Sequence, residues 1–171
     1  AAIANKGFFY TPHILKEVNE NPIEFSDFTK KKQTTIDTAH FPLVIEAMHE
    51  VFKTGTGKWS QVKGIEICGK TGTSENYAVV NGKRIKLEDH SILVAFAPKD
   101  NPKIALAIFV ENGGYGSTIA APIASLLIEQ YLNGEISKAT QYREKNMLNI
   151  SLQDEYDKLI PKKEDIEKGT K

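Results

Sequence analysis

Two apolar stretches, residues 91–97 and 103–110, constrain the fold of this chain more than any other feature. A short linker with a proline at each end joins them, which predicts an antiparallel pair of strands in the middle of a sheet that is covered on both faces. In the second stretch, large side chains alternate with the small Ala105 and Ala107. We therefore expect a helix to approach the small side closely.

A third β-prone stretch, residues 65–74, contains the side chains with the clearest chemistry. A lysine beside threonines at a strand end places a positive charge and hydroxyl donors against a carboxylate or a developing oxyanion. Glycines in the same stretch remove side chains, so that a substrate backbone can lie along the strand edge. We predict a site here, with this strand outermost in the sheet, residues 91–97 next to it and residues 103–110 beyond.

Two helices and a hairpin complete the predicted fold. Residues 41–53 have apolar side chains at helical spacing, with Pro42 in the first turn, and residues 121–131 form the second helix, which Gly134 can end. The Asn-Gly pair at residues 81–82 predicts a hairpin. The predicted fold class is α/β of the α+β type, a chiefly antiparallel sheet with packed helices.

The composition fits one domain, and its charge balance favours neither nucleic acid nor an anionic membrane surface as a partner. With 22 basic and 22 acidic residues, the formal net charge is zero and gives no reason to expect binding to nucleic acid. A lone Cys68 cannot form an internal disulfide, and no apolar run approaches the roughly 20 residues of a membrane span. Residues 1–134 are expected to form the domain, and residues 135–171 a polar tail on its surface.

The first residues read as the last turn of a helix that ends at residues 5–7, with Gly7 able to adopt the left-handed conformation of a helix cap. A helix end without its body predicts that the chain is part of a longer protein. The connection before the third strand is polar and glycine-rich, and Trp59 is available to anchor it by packing.

Two motif matches compete with the site at residues 65–74. Residues 64–71 satisfy the phosphate-binding pattern G-x-x-x-x-G-K-[ST], but the preceding strand is missing and Gly72 follows at once, so a nucleotide site is disfavoured. Ser60 and Lys63 spell the Ser-x-x-Lys nucleophile motif, yet about one such match is expected by chance in this composition.

The remaining patterns have ordinary explanations. Ser74 begins a Ser-x-Asn match. Because this match directly adjoins the strand motif, coincidence is the better explanation. Glu46, His49 and Glu50 share a helical face but lack a second histidine, so neither a metal site nor a cofactor is proposed. The glycine-rich loop at residues 111–117 opens a helix and leaves two interpretations, an anion site or a plain turn.

The order of these elements resembles the C-terminal half of a class B penicillin-binding protein transpeptidase domain. The residues that carry the resemblance are Gly-Lys-Thr-Gly-Thr-Ser at 69–74, Gly-Thr-Gly at 55–57, the two apolar strands, Ala-Ala-Pro at 120–122, and residues 4–7 with 11–13. Residues 147–149 are more similar to the elongation type of this family than to the division type. The resemblance is closer over residues 1–134 than over the tail. It implies a partial fold of the kind shared with serine β-lactamases.

In the family that the chain resembles, a serine on Ser-x-x-Lys attacks the D-alanyl-D-alanine carbonyl of a stem peptide, and an amine from a second stem peptide resolves the acyl-enzyme. The resemblance makes Lys70 a source of positive potential that helps proton transfer. It makes Thr71, Thr73 and Ser74 substrate-binding residues, with the first two hydroxyls on the terminal carboxylate. The Thr73 N–H is an implied oxyanion-hole donor, and Gly72 keeps the strand edge open.

The sequence departs from the family in lacking a serine nucleophile and a Ser-x-Asn loop at acceptable positions. We therefore expect the chain alone to be inactive, with an uncovered sheet edge that favours association. Implied partners are the stem peptide, β-lactams and a membrane glycosyltransferase. The implied location is the periplasmic face of the inner membrane, with an anchor outside this chain. Alternatives are a serine β-lactamase, a D-alanyl-D-alanine carboxypeptidase or a non-catalytic penicillin-binding sensor module.

Overall fold

The computed structural model describes residues 1–14, 17–18, 21–22 and 26–160. The strands and helices, in chain order, are β1 (Phe8–Phe9), β2 (Glu17–Val18), β3 (Asn21–Pro22), α1 (Ser26–Thr29), β4 (Lys32–Gln33), α2 (Phe41–Lys53), β5 (Cys68–Ser74), β6 (Tyr77–Val80), β7 (Lys83–Lys86), β8 (His90–Ala97), β9 (Ile104–Val110), α3 (Ala120–Asn133), α4 (Gln141–Leu148) and α5 (Gln153–Asp157). Within this described part, no helix combines the length and the apolar character that crossing a membrane requires.

A three-stranded antiparallel sheet in the order β5-β8-β9 forms the centre of the molecule, which confirms the predicted order and the outermost position of β5. The strand begins at Cys68 rather than at residue 65. Val62 and Ile65 instead form an isolated bridge across a tight turn, in which Gly64 has a φ of +83°. Residues 65–67 therefore follow this turn and precede the strand, rather than belonging to it.

Helix α3 covers one face of the sheet, and its packing corrects the prediction about the small side of β9. The small residues of the contact, Ala120, Ala121 and Ala124, lie on the helix and pack toward the large side chains Leu106 and Ile108 of the strand. The strand residues Ala105 and Ala107 are exposed on the opposite face. Close approach requires small residues on only one partner, and here the helix supplies them.

The face opposite α3 is only partly covered, contrary to the prediction of a sheet buried on both sides. Helix α2 packs there through Ile45 and Met48, which lie in one buried cluster with Cys68 and Phe96 of the sheet. Further along the sheet, Val94 is 45% exposed and Phe109 is 57% exposed. Among the described residues, β9 is also an edge strand rather than a central one.

Helix α2 has the predicted bounds, Phe41–Lys53, with Pro42 in its first turn. Its apolar side chains reach both faces of the sheet, because Phe52 at its C-terminal end joins the cluster under α3 while Ile45 joins the opposite one. The helix therefore crosses the outer edge of β5 and delivers the chain to the α3 side.

The structure confirms the hairpin that the Asn-Gly pair predicts. Strands β6 and β7 pair as the predicted hairpin, with φ of +51° at Asn81 and +71° at Gly82. Near the start of the chain, N–H bonds from Lys6 to Ile3 and from Gly7 to Ala2 make the predicted helix end, with Lys6 in the left-handed conformation that the prediction gave to Gly7.

A buried polar network holds α4 against α3, in a segment whose composition predicted only a polar surface. Glu129 of α3 is buried and accepts hydrogen bonds from the Thr140 hydroxyl at 2.5 Å and the Ser137 N–H at 3.3 Å. Burial raises the pKa of Glu129, but these hydrogen bonds and the charge of Arg143 outweigh it and keep that pKa below its ordinary value. The division at residue 134 remains a prediction.

We expect Cys68 to be unreactive in the folded protein. The residue is fully buried, and burial raises the pKa of its thiol to about 12, so that almost no thiolate exists at pH 8. Iodoacetamide at pH 8 should leave the native chain unmodified and add one carbamidomethyl group after unfolding in guanidinium chloride, as intact-mass spectrometry would show. Rapid labelling of the native chain would contradict this placement.

Candidate active site

The Lys70 side chain lies on the exposed outer strand of the sheet, on the face that α3 does not cover. Lys70 pairs with Val94, which in turn pairs with Ala107, and paired residues of an antiparallel sheet share a face. The Lys70 ammonium donates a hydrogen bond to the Thr71 carbonyl at 2.6 Å. The charge is therefore fixed beside the strand edge and is open to solvent.

The backbone groups of Thr71 and Thr73 belong to the free edge of β5. In an antiparallel ladder, alternate residues direct both N–H and C=O to the neighbouring strand, and the residues between them direct both groups away. The Thr71 carbonyl accepts from Lys70, which assigns Thr71 to the outward set, and Thr73 follows two residues later. An extended ligand along this edge would meet the N–H and C=O of both threonines.

The connector that follows α2 contributes Thr56, which the sequence analysis named only as part of the resemblance and to which it gave no role in the site. The Thr56 and Thr71 hydroxyl oxygens lie 2.9 Å apart and share a hydrogen bond. Glycines on either side of Thr56 let the connector close on the helix end, since a Cβ at Gly55 would lie 2.9 Å from the Val51 Cα and one at Gly57 would lie 3.2 Å from the Phe52 ring. The Gly-Thr-Gly sequence was the available signal.

Gly72, Thr73 and Ser74 occupy the rest of the strand. Gly72 and Ser74 are half-buried and Thr73 is exposed. A Cβ at Gly72 would lie 3.3 Å from the Ile92 Cβ, so the position is close to its neighbour on β8. Lys70, Thr71 and Thr73 thus place one ammonium and two hydroxyls along one stretch of the outer strand, with the Lys70 side chain on the opposite face from those of the two threonines.

The glycine-rich loop before α3 supports this strand from the α3 side. A Cβ at Gly116 would lie 2.3 Å from the Ile92 carbonyl oxygen and 2.6 Å from that of Gly72, so only glycine fits this crossing. The Ser91 hydroxyl donates to the Tyr115 carbonyl and accepts from the Ala120 N–H.

The first turn of α3 does not provide the anion site that was one interpretation of this loop. The Ala120 N–H binds Ser91, the Ala121 N–H binds the Gly116 carbonyl, and the Ile123 N–H binds the Ile119 carbonyl. Residue 122 is proline and has no N–H. The first turn of α3 therefore has no N–H left for an anion, and the loop acts as a turn.

The structure contradicts both competing motif interpretations of the central stretch. After Thr71 the chain continues as strand to Ser74, so no helix follows the glycines as a phosphate-binding loop requires. Ser60 is buried at the end of a short 3₁₀ turn, and no helical turn brings Lys63 beside it. The Asn76 amide donates to the Asn112 side chain at 2.6 Å, which gives the Ser-x-Asn match a structural role.

The helical face at Glu46, His49 and Glu50 is occupied by contacts within the chain. Lys99 donates to Glu46 at 2.5 Å, and this hydrogen bond lowers the pKa of Glu46. Glu50 pairs with Lys53 at 2.9 Å, and the His49 Nε2 lies 3.6 Å from a Glu66 oxygen. The three side chains therefore have separate partners.

Comparison with known proteins places the chain in a family. Residues 1–129 match the family described as penicillin binding protein transpeptidase domain. Among curated proteins, the peptidoglycan D,D-transpeptidase MrdA of Haemophilus influenzae is 28% identical over 157 residues, which are 82% of this chain and 23% of that protein. The MrdA of Acinetobacter baumannii is 32% identical over 141 residues, 77% of this chain and 21% of that protein.

Solved structures give the same result. Pseudomonas aeruginosa PBP2 in complex with WCK 5153 matches with a TM-score of 0.60 at 29% identity, over 81% of this chain and 29% of that one. The imipenem acyl-enzyme complex of penicillin-binding protein A from M. tuberculosis matches with a TM-score of 0.58 at 27% identity, over 77% of this chain and 28% of that one. The chain therefore spans less than a third of the length of these relatives.

Proposed function

The chain belongs to the penicillin-binding protein transpeptidase family, and we propose that it forms the Lys-Thr-Gly side of the active site in a longer peptidoglycan D,D-transpeptidase. The observation that carries this proposal is the placement of Lys70, Thr71 and Thr73 on an exposed edge strand. The relatives that match most of this chain are named as D,D-transpeptidases, which favours that activity over a β-lactamase or a carboxypeptidase.

In the proposed reaction, a serine outside these residues attacks the carbonyl of a D-alanyl-D-alanine stem peptide. The peptide lies along the free edge of β5 with its terminal carboxylate on the hydroxyls of Thr71 and Thr73, and Ser74 extends this substrate-binding stretch. The Thr73 N–H donates to the oxyanion that forms on the attacked carbonyl. The oxyanion then collapses to an ester of the serine and releases the terminal D-alanine, whose amine takes up the proton that the serine lost. An amine of a second stem peptide attacks this ester, forms the cross-link and frees the serine hydroxyl.

Lys70 has two roles in this proposal. Its ammonium supplies positive potential to the cleft, which favours the anionic substrate and the developing oxyanion. It also assists proton transfer, because an amine that already donates to the Thr71 carbonyl is held at the strand edge where the serine reacts. Gly72 keeps side-chain atoms away from the substrate.

The partly uncovered face indicates where the serine would come from. Lys70 shares this face with Val94 and Ala107, and the open concavity beside them measures about 720 Å³ and is lined mostly by apolar residues. A segment that covers this apolar surface would bring its serine next to the Lys70 ammonium.

The wider biological setting follows from the same proposal. The protein would act on stem peptides and be acylated by β-lactams, as the solved acyl-enzyme relatives are. We place it at the periplasmic face of the inner membrane, in the elongation branch of the family, with a membrane glycosyltransferase as its partner.

Mass spectrometry after exposure to a fluorescent penicillin tests the proposal. The 171-residue chain should gain no mass, because it lacks a competent serine, whereas the longer protein should gain one penicillin per molecule on a serine outside the chain. Stoichiometric acylation of the chain, at Ser60 above all, would overturn the proposal. So would a longer protein that never forms the adduct.

A further inference from the structure

Arg143 is the buried cation that joins helix α4 to the rest of the domain. The residue is 6% exposed, and its guanidinium donates to the Ser125 hydroxyl at 2.9 Å and to the carbonyls of Trp59 and Gln61 at 3.0 and 3.1 Å. A buried guanidinium is costly unless hydrogen bonds satisfy it, and here a single group binds α3 and the connector between α2 and β5 together.

Arg143 adds to the contacts that hold this connector, in which Ser60 is buried and Val62 packs into the core under α3. Trp59, which we expected to anchor it by packing, is 79% exposed. Its carbonyl, rather than its indole ring, makes the anchoring contact with Arg143. Gln61 extends the contact to α2, because its side-chain amide donates to the carbonyls of Phe52 and Lys53 at 2.6 and 3.1 Å.

The same connector positions the hydroxyl of Thr71. Thr56 lies in the connector between the end of α2 and Gln61, and its hydroxyl shares a hydrogen bond with that of Thr71. When Thr56 donates, the Thr71 hydroxyl proton is free to point away from the connector toward a ligand. The direction of that proton therefore depends on where the connector places Thr56.

We propose that Arg143 is a positioning residue for substrate binding: by holding the carbonyls of Trp59 and Gln61, it fixes the connector that sets the Thr56 hydroxyl against Thr71. This inference rests on the proposed function, since it deepens the role of Thr71 in binding a carboxylate. Arg143 touches neither substrate nor reacting atoms and acts through Thr56.

The test compares penicillin G with its methyl ester, which lacks the carboxylate charge, as acylating agents of the full-length protein. Arg143→Lys keeps the charge but cannot reproduce the planar three-acceptor contact. It should lower the second-order acylation rate constant for penicillin about tenfold, which is less than the roughly 10²-fold that a full 1 Å misplacement at a reacting site can cost. The rate constant for the ester, which makes no use of the oriented Thr71 proton, should change much less.

Two further variants make the test specific. Lys145→Gln alters an exposed cation on the same helix and should leave both rate constants unchanged. Thr56→Val removes the hydroxyl, and adding Arg143→Lys to it should cause no further loss, because both changes act on one contact. Circular dichroism and thermal denaturation verify that each variant is folded.

The inference is overturned if Arg143→Lys leaves penicillin acylation unchanged, if it slows penicillin and its ester equally, or if its effect adds to that of Thr56→Val. In each of these cases the wild-type protein is still acylated, so the proposed function stands. Failure of the wild-type protein to be acylated would overturn both.

Discussion

Replacing Lys70 with alanine in the full-length protein is expected to lower the rate constant of penicillin acylation by about 10²- to 10³-fold, the range seen when one preorganised electrostatic contact of an active site is removed. The reason is the loss of the only described cation at this point of the strand edge, where negative charge develops during attack. Stopped-flow fluorescence with a labelled penicillin measures the change directly.

Stability should respond very little to the same substitution. Lys70 is exposed, and its hydrogen bond to the Thr71 carbonyl can be replaced by water, so the change in unfolding free energy is expected to stay within about 0.5 kcal/mol. Lys63→Ala, at another exposed lysine on the approach to β5, serves as the matched control and should acylate normally. If both variants were acylated at the same rate, Lys70 would have no role in the reaction.

Among the described glycines, Gly116 leaves the least room for a methyl group, so a substitution there should strongly destabilise the domain. In Gly116→Ala the new Cβ would lie 2.3 Å from the Ile92 carbonyl oxygen and 2.6 Å from that of Gly72. Both oxygens belong to backbone in the paired strands β5 and β8, so relief requires the loop to lift away or the ladder to shift. We expect a loss of about 3 kcal/mol, the upper part of the usual range for overpacking.

Urea denaturation followed by circular dichroism measures this loss. Ser117→Ala changes the neighbouring loop position without adding volume and should lower the unfolding free energy by less than about 0.5 kcal/mol. A Gly116→Ala variant as stable as Ser117→Ala would show that the loop does not press on the sheet as described.

The sequence predicted those parts of the fold that depend on local chemistry. Helix α2 was predicted with its observed bounds, because Pro42 and the apolar spacing are local signals, and the hairpin at residues 81–82 was equally clear. The side of β9 that meets α3 was predicted wrongly. Alternation of large and small side chains defines two faces, but it does not say whether the strand or the helix contributes the small residues.

The candidate site followed the same division. Lys70, Thr71 and Thr73 lie close together in the sequence and were recognised as a motif. Thr56 and Gly116 contact the strand only in the folded structure, and Arg143 acts on it through the connector. Arg143 lies in a lysine-rich segment and binds the backbone carbonyls of Trp59 and Gln61. Every residue has such a carbonyl, so the sequence does not indicate which ones an arginine will bind. Arg143 being the one arginine in residues 135–171 was the available signal, since buried contacts to several acceptors favour arginine over lysine.

A crystal structure of the full-length protein acylated by penicillin would test the central claim most directly. We predict that the antibiotic lies along the free edge of β5, with its carboxylate about 2.7 to 3.2 Å from the hydroxyls of Thr71 and Thr73 and its acyl oxygen at a similar distance from the Thr73 N–H. An antibiotic bonded to a serine within these residues, or one whose carboxylate lies away from β5, would contradict the account.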